Sequence, residues 1–185
     1  MKAAIFLDRD GVIVRDNGYV HRTEDFELLP GVVPGLREFQ TAGYLLVVVT
    51  NQSGIARGLF SEDDYLSFTK LMRARLAVEG ITFDAVLHCP HLPDAPLARY
   101  AATCDCRKPG PGMLLRAMQA LDIDPRRSLM VGDRLSDLQA GRNAGVLRNF
   151  LIHDHSKGEP ADTGDGVFAD LEALSIHFLH SSPTA

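Results

Sequence analysis

Five short runs of mostly apolar residues, at 3–7, 44–50, 85–89, 128–131 and 147–152, alternate with longer stretches at 32–42, 62–79, 112–121 and 136–144 whose apolar residues recur at helical spacing. No other feature of the sequence restricts the fold as much. A short apolar run with no polar face reads as a strand buried on both sides, and such strands belong to parallel sheets covered by helices. Gly43, Gly80 and Gly145 stand just behind three of the helical stretches, where a chain leaving a helix favours glycine. The expected fold is therefore α/β, a Rossmann-like parallel sheet flanked by helices. With 185 residues, 45% of them hydrophobic, and no internal repeat, the chain is expected to form one domain over 1–185. Residues 167–179 read as a last short strand and helix. The rest of the tail from 153 on, with His153 and His155 two apart, reads as polar loop.

In an open parallel sheet the ligand lies beyond the carboxyl ends of the strands, so the residues just after each run carry the chemistry. Asp8-Arg9-Asp10-Gly11 follow the first run, Thr50-Asn51-Gln52-Ser53-Gly54 close the second, and Gly132-Asp133-Arg134-Leu135-Ser136-Asp137 follow the fourth. Arg107-Lys108 lead into the third helical stretch through Pro109 and Pro111. Two acids, a hydroxyl, a lysine and a further acid on one sheet edge are the equipment for moving a phosphoryl group. Asp8 can attack phosphorus through its carboxylate and form an acyl phosphate, which divides one hard hydrolysis into two easier steps. Asp10 can protonate the leaving oxygen and later deprotonate water. Two anions meet in such a reaction, so cations are needed. Asp8, the Asp10 carbonyl and Asp133 can hold Mg²⁺, with Lys108 adding charge and Thr50 a hydrogen bond. Singly, each motif has an ordinary structural use: acids after strands build turns, and Thr50 or Ser53 can cap the next segment. All four in order argue for a site.

These motifs resemble those of the haloacid dehalogenase (HAD) superfamily of phosphatases: a DxD after the first strand, a Thr or Ser after the second, a Lys, and a GDxxxD. More narrowly, FLDRDGVI, GYV, VVTNQSGIARG, CPH, CDCRKPGPGM and VGDRLSDLQAG resemble the heptose 1,7-bisphosphate 7-phosphatase group and its kin, the histidinol-phosphate phosphatase domain, over residues 3–146. The resemblance implies Asp8 as nucleophile, Asp10 as general acid and base, Thr50 and Lys108 as phosphoryl stabilisers, and Asp133 as Mg²⁺ ligand. These are the roles the chemistry gives them. It also implies a small phosphorylated sugar as substrate. Only about 36 residues separate Leu7 from Tyr44, too few for the cap domain many superfamily members insert, so a capless site is expected. Short loops must then select the substrate, and the candidates are Asp16, Asn17, Gly18, Tyr19, Asn51, Gln52, Ser53, Arg107 and Arg134. The planar fork of Arg107 suits a second anionic or hydroxyl group. Asp137 reads either as reaching the metal's water shell or as an acid in the first turn of its helix. Arg134 reads either as a substrate contact or as a solvated side chain. Where the group pattern continues Gly-Val-Gly-Thr, this chain has Gly145-Val146-Leu147-Arg148, so the loop and the strand behind it are expected to be reshaped.

All three cysteines are crowded into one segment, an odd number that makes a poor disulfide framework and fits a reducing compartment. Cys89-Pro90-His91 and, after twelve residues, Cys104-Asp105-Cys106 offer three thiolates and an imidazole, the set that closes a tetrahedral Zn²⁺ site. The zinc loop, about 88–107, runs straight into Arg107-Lys108, so the metal would brace both. His88 should face away from Cys89 along a continuing strand. The resemblance implies that the zinc is structural.

A net charge of -5 with scattered Lys and Arg weighs against nucleic acid as a partner. No apolar run approaches the roughly 18 residues of a membrane span. A cytoplasmic monomer without membrane contact is expected. A non-hydrolytic phosphoacceptor with a similar sheet is the competitor from another class. Asp10 argues against it, because such receivers lack an acid two residues past the phosphoacceptor.

Overall fold

The structure, a computed structural model, describes residues 1–153 and 162–180. β1 (Ala4–Leu7), β2 (Leu45–Asn51), β3 (Ala85–Cys89), β4 (Leu129–Gly132), β5 (Arg148–Ile152) and β6 (Val167–Phe168) form one parallel sheet in the order β3-β2-β1-β4-β5-β6. The chain runs outward from β1 through β2 to β3, then returns to lay β4 on the other side of β1. That reversal opens a crevice at the carboxyl ends of β1, β2 and β4. Leu7 sits opposite both Val48 and Val131, and the Asp8 amide still donates to the Val131 carbonyl at 2.9 Å.

The strands alternate between two cores, as a period of two requires. Ile5, Leu7, Leu46, Val48, Leu129 and Val131 face α1 (Val32–Thr41), α3 (Glu62–Val78) and α6 (Leu171–His180) through Leu36, Phe39, Phe68, Met72, Leu171 and Leu174. Ala4, Phe6, Val47, Val49 and Met130 face α4 (Gly112–Leu121) and α5 (Leu135–Asn143) through Met113, Leu114, Ala117 and Ala140. All four residues of β1 are fully buried, each larger side chain contributing about 1.5–3 kcal/mol. The strand that carries the first motif is thus held on both edges and both faces.

Two departures from expectation have simple causes. α2 (Ser53–Ala56) is one turn long, too short to show periodicity in the sequence. Gly54 lies there because a Cβ would overlap the Phe60 ring. The strand at 148–152 is not reshaped: it pairs regularly with β4, because exposed Arg148 starts it and Asn149 to Ile152 are buried. The expected final strand and helix are present as β6 and α6. The His153 amide donates to the Phe168 carbonyl at 3.0 Å, whereas His155 lies outside the described residues. Among the described residues no helix is long and apolar enough to cross a membrane.

Candidate active site

β1 ends at Leu7 and hands Asp8 to the crevice, where its Oδ1 accepts the Arg9 amide at 2.7 Å. The chain then turns sharply, with the Gly11 amide donating to the Val14 carbonyl. Gly11 has φ +81°, and a Cβ there would overlap the Asp133 carboxylate, so only glycine lets the two motifs approach. Lys108 reaches the same point from the loop before α4. Its Nζ lies 3.1 Å from Asp8 Oδ1, 2.7 Å from Asp137 Oδ1 and 2.8 Å from the Val49 carbonyl. Burial alone would lower the Lys108 pKa, but Asp137 and Asp8 outweigh it and raise it, so the ammonium stays charged. Asn51, at the end of β2, holds the lysine backbone from both sides, donating to its carbonyl and accepting its amide at 3.0 Å each.

Carboxylate oxygens of Asp8, Asp133 and Asp137 lie within 4.8 Å of one another. Burial, then Asp8 and Asp137, push the Asp133 carboxyl up to about 7. Asp137 takes the first-turn place that one sequence reading gave it, and it also pairs with Lys108, which neither reading named. Its Oδ2 accepts the Arg134 amide at 3.0 Å in the first turn of α5, while Oδ1 faces Lys108.

Asp10 points to the other side of the turn. Its carboxylate accepts Arg9 Nε at 2.8 Å, Arg9 Nη2 at 2.9 Å and Gln52 Nε2 at 2.9 Å. Burial raises the Asp10 pKa, and the Arg9 cation works against that rise. Gln52 Nε2 also donates to Thr50 Oγ1 at 2.9 Å, which leaves the threonine proton free to donate elsewhere. Sequence reasoning missed Arg9. A cation between two acids at the end of an apolar run was the available signal.

The crevice is a cavity of about 380 Å³. Asp8, Asp10, Asn51, Gln52, Ser53, Arg107 and Lys108 line its floor and wall, and Asp16, Gly18, Tyr19 and Arg134 line its mouth. Asn17, Thr50 and Asp133 fall outside that lining. At the mouth Arg134 Nη2 pairs with Asp16 Oδ2 at 2.8 Å, and Asp16 Oδ1 accepts the Gly18 amide at 2.9 Å. Asn51 and Gln52, expected as substrate contacts, use their amides to tie Lys108, Asp10 and Thr50 together.

A HAD-hydrolase-like family model matches residues 105–174. The chain is 45% identical over 178 residues to the D-glycero-beta-D-manno-heptose-1,7-bisphosphate 7-phosphatase of Yersinia pestis, covering 96% of this chain and 90% of that protein. The protein of the same name from Vibrio cholerae is 49% identical over 180 residues, 97% of this chain and 92% of its own. The chain belongs to the heptose 1,7-bisphosphate 7-phosphatase family. It is a phosphatase of the HAD superfamily. The crystal structure of D,D-heptose 1,7-bisphosphate phosphatase from B. bronchiseptica, complexed with magnesium and phosphate, superposes with a TM-score of 0.82 at 35% identity, covering 98% of this chain and 100% of that one.

The residues expected to hold Mg²⁺ and Zn²⁺ can be tested for fit on this chain's own atoms. Lys108 pairs with Asp8 and Asp137, Arg134 Nε lies 3.7 Å from Asp133 Oδ2, and Asp133 Oδ1 is buried without a hydrogen-bond partner among the described residues. An oxygen-lined pocket with surplus negative charge suits a hard divalent cation. In the loop between β3 and α4, Cys89 Sγ lies 3.0 Å from Cys106 Sγ and 3.6 Å from Cys104 Sγ, and His91 Nδ1 lies 3.4 Å from Cys106 Sγ. The sulfurs are too far apart for disulfides, whose S–S bond is about 2.05 Å. They are close to the roughly 3.8 Å edge of a zinc–thiolate tetrahedron. His88 turns away, its ring 4.2 Å from that of Tyr65. Arg107 Nη1 donates to the His91 carbonyl at 3.3 Å, so the cysteine loop and the cavity share a wall.

Proposed function

We propose that this chain hydrolyses the C7 phosphate of D-glycero-β-D-manno-heptose 1,7-bisphosphate through an aspartyl-phosphate intermediate, with Mg²⁺ in the acidic pocket and structural Zn²⁺ in the cysteine loop. One observation carries it: Asp8 stands at the cavity floor with a buried lysine 3.1 Å away and two further acids beside it. The β-anomer is taken from relatives 45–49% identical over nearly the whole chain.

Asp8 attacks phosphorus through a carboxylate oxygen, and the bond from phosphorus to the sugar oxygen breaks. The proton on Asp10 passes to that oxygen, and burial favours the protonated form the step needs. Lys108 offsets the charge of Asp8 and the phosphoryl oxygens, while the free Thr50 proton is available to one of them. Asp10, now ionised and stabilised by Arg9, takes a proton from water. The hydroxide attacks the acyl phosphate, the bond from phosphorus to Asp8 breaks, and phosphate leaves. Asp8, the Asp10 carbonyl and Asp133 would hold Mg²⁺, with Asp137 beside them, and the ion supplies positive charge to the phosphoryl oxygens. Arg107 and Arg134 at the cavity wall and mouth suit the second phosphate of a bisphosphate. The crowded free thiols favour a reducing compartment, and we place the enzyme in the cytoplasm.

Phosphate release with Mg²⁺ from both anomers of heptose 1,7-bisphosphate, histidinol phosphate and a 3′-phosphorylated oligonucleotide tests the proposal. A kcat/KM at least about tenfold higher for the β-anomer is expected. Preference for histidinol phosphate would overturn the substrate, and no hydrolysis of any of them would favour the phosphoacceptor.

A further inference from the structure

Arg9 enters the mechanism above only as the cation beside Asp10, yet among the described residues it is the largest fully buried side chain. Burying a guanidinium is costly unless its charge is matched, and a side chain that merely filled this space would be aliphatic. Its placement is specific. Nε and Nη2 reach the two oxygens of Asp10 at 2.8 and 2.9 Å, a two-point fork that fixes both position and plane. Nη2 also donates to the Val20 carbonyl at 2.8 Å and to Gln52 Oε1 at 3.3 Å. Gln52 closes the circuit by donating to Asp10 Oδ2. The guanidinium carbon lies 4.8 Å from the Phe68 ring centre and 5.6 Å from that of Tyr65, both on α3. Nη1 is without a hydrogen-bond partner among the described residues, so the site is not built to satisfy the arginine. It is built to aim one edge of the fork at Asp10.

We infer that Arg9 is a positioning residue: anchored on α3 and the Val20 carbonyl, it holds the Asp10 carboxyl in the orientation from which its proton reaches the leaving oxygen. The inference rests on Asp10 being the proton donor, so the experiment tests that reading separately. An alkyl oxygen of a sugar needs a proton to leave, whereas 4-nitrophenolate leaves without one. kcat/KM covers only the steps through release of the leaving group, so it isolates this difference.

kcat/KM is measured for heptose 1,7-bisphosphate and 4-nitrophenyl phosphate on wild type, Arg9→Met, Arg9→Lys, Asp10→Asn and the Arg9→Met/Asp10→Asn double variant, each with a thermal melt. Met packs over Phe68 without charge, and Lys keeps the charge without the fork, so one variant serves if the other does not fold. The expected loss for both Arg9 variants is on the order of 10²-fold on the sugar and less than about threefold on the nitrophenyl ester. Added to Asp10→Asn, Arg9→Met should cost the sugar nothing further, because its effect passes through the missing acid. Equal losses on both substrates, no loss on either, or full additivity with Asp10→Asn would overturn the inference and leave the Asp10 assignment standing. Failure of Asp10→Asn itself to discriminate between the substrates would overturn both.

Discussion

Gly132→Ala, at the end of β4, adds one methyl group where the structure has no space for it. A Cβ at 132 would overlap the Cβ and carboxyl of Asp137, and these are close to the backbone of α5 rather than the far end of a flexible chain. Restoring ordinary contact requires Asp137 to retreat by roughly 1 Å, and a misplacement of that size costs on the order of 10²-fold in rate. The retreat opens the 2.7 Å contact between Asp137 and Lys108, and the lysine is otherwise held by Asp8 and the Val49 carbonyl. Lys108 then shifts relative to Asp8, the pair on which the proposed phosphoryl transfer depends. Overpacking of this kind costs about 1–3 kcal/mol, so at roughly 2–4 °C per kcal/mol for a chain of this size Tm should fall by roughly 2–12 °C while the variant stays folded at 25 °C. Steady-state phosphate release at saturating Mg²⁺, run beside a thermal melt, gives both numbers. A folded Gly132→Ala enzyme with kcat within about threefold of wild type would refute the claim that Asp137 places Lys108.

Asp8→Asn should remove at least roughly 10⁴-fold of the turnover with Tm nearly unchanged, and turnover near wild type would sink the nucleophile. Asp133, pushed up to about 7 without metal, must lose its proton before Mg²⁺ binds, so the apparent affinity should rise about tenfold per pH unit below that point and level off above it. A raised carboxyl pKa means the folded state holds the proton more tightly than the unfolded chain. Stability of the metal-free protein should therefore fall as pH climbs from about 4 to about 7, read by melts with and without Mg²⁺. Removing zinc by chelation, checked by metal analysis, should lower Tm by on the order of 10 °C, and an unchanged Tm would mean the four ligands are misread.

What could be read in the sequence was local, and what could not depends on residues far apart in the chain. The short apolar runs announce buried parallel strands because both faces of the sheet are covered, and that pattern sits within each run. Asp8, Lys108 and Asp133 stand beside motif glycines and prolines whose spacing is itself a signal. The cysteine loop was legible because each half of its ligand set lies within three residues. Arg9 was not, because its role comes from Val20, Gln52, Tyr65 and Phe68, which the fold alone brings together. Asn51 and Gln52 line the cavity, and their hydrogen bonds to Lys108, Asp10 and Thr50 were not legible, since a sequence shows that an amide is near a strand end but not which way it turns. Asp137 left two readings open; its Oδ2 holds the first turn of α5, and its Oδ1 meets Lys108, a partner that lies 29 residues away in the chain.

The position of β1 between β2 and β4 also sets when activity can begin. Ile5 pairs with Leu46 on one side and with Leu129 on the other. A growing chain can close the first edge early, but the second stays open until most of the protein has been made, at about 5–20 residues per second. During that interval the free edge of a wholly apolar strand is available to neighbouring chains. A fragment ending before residue 108 would carry the nucleophile without its lysine. Asp133 therefore joins Asp8 only when β4 docks, and the same late event covers the edge of β1 that synthesis had left open.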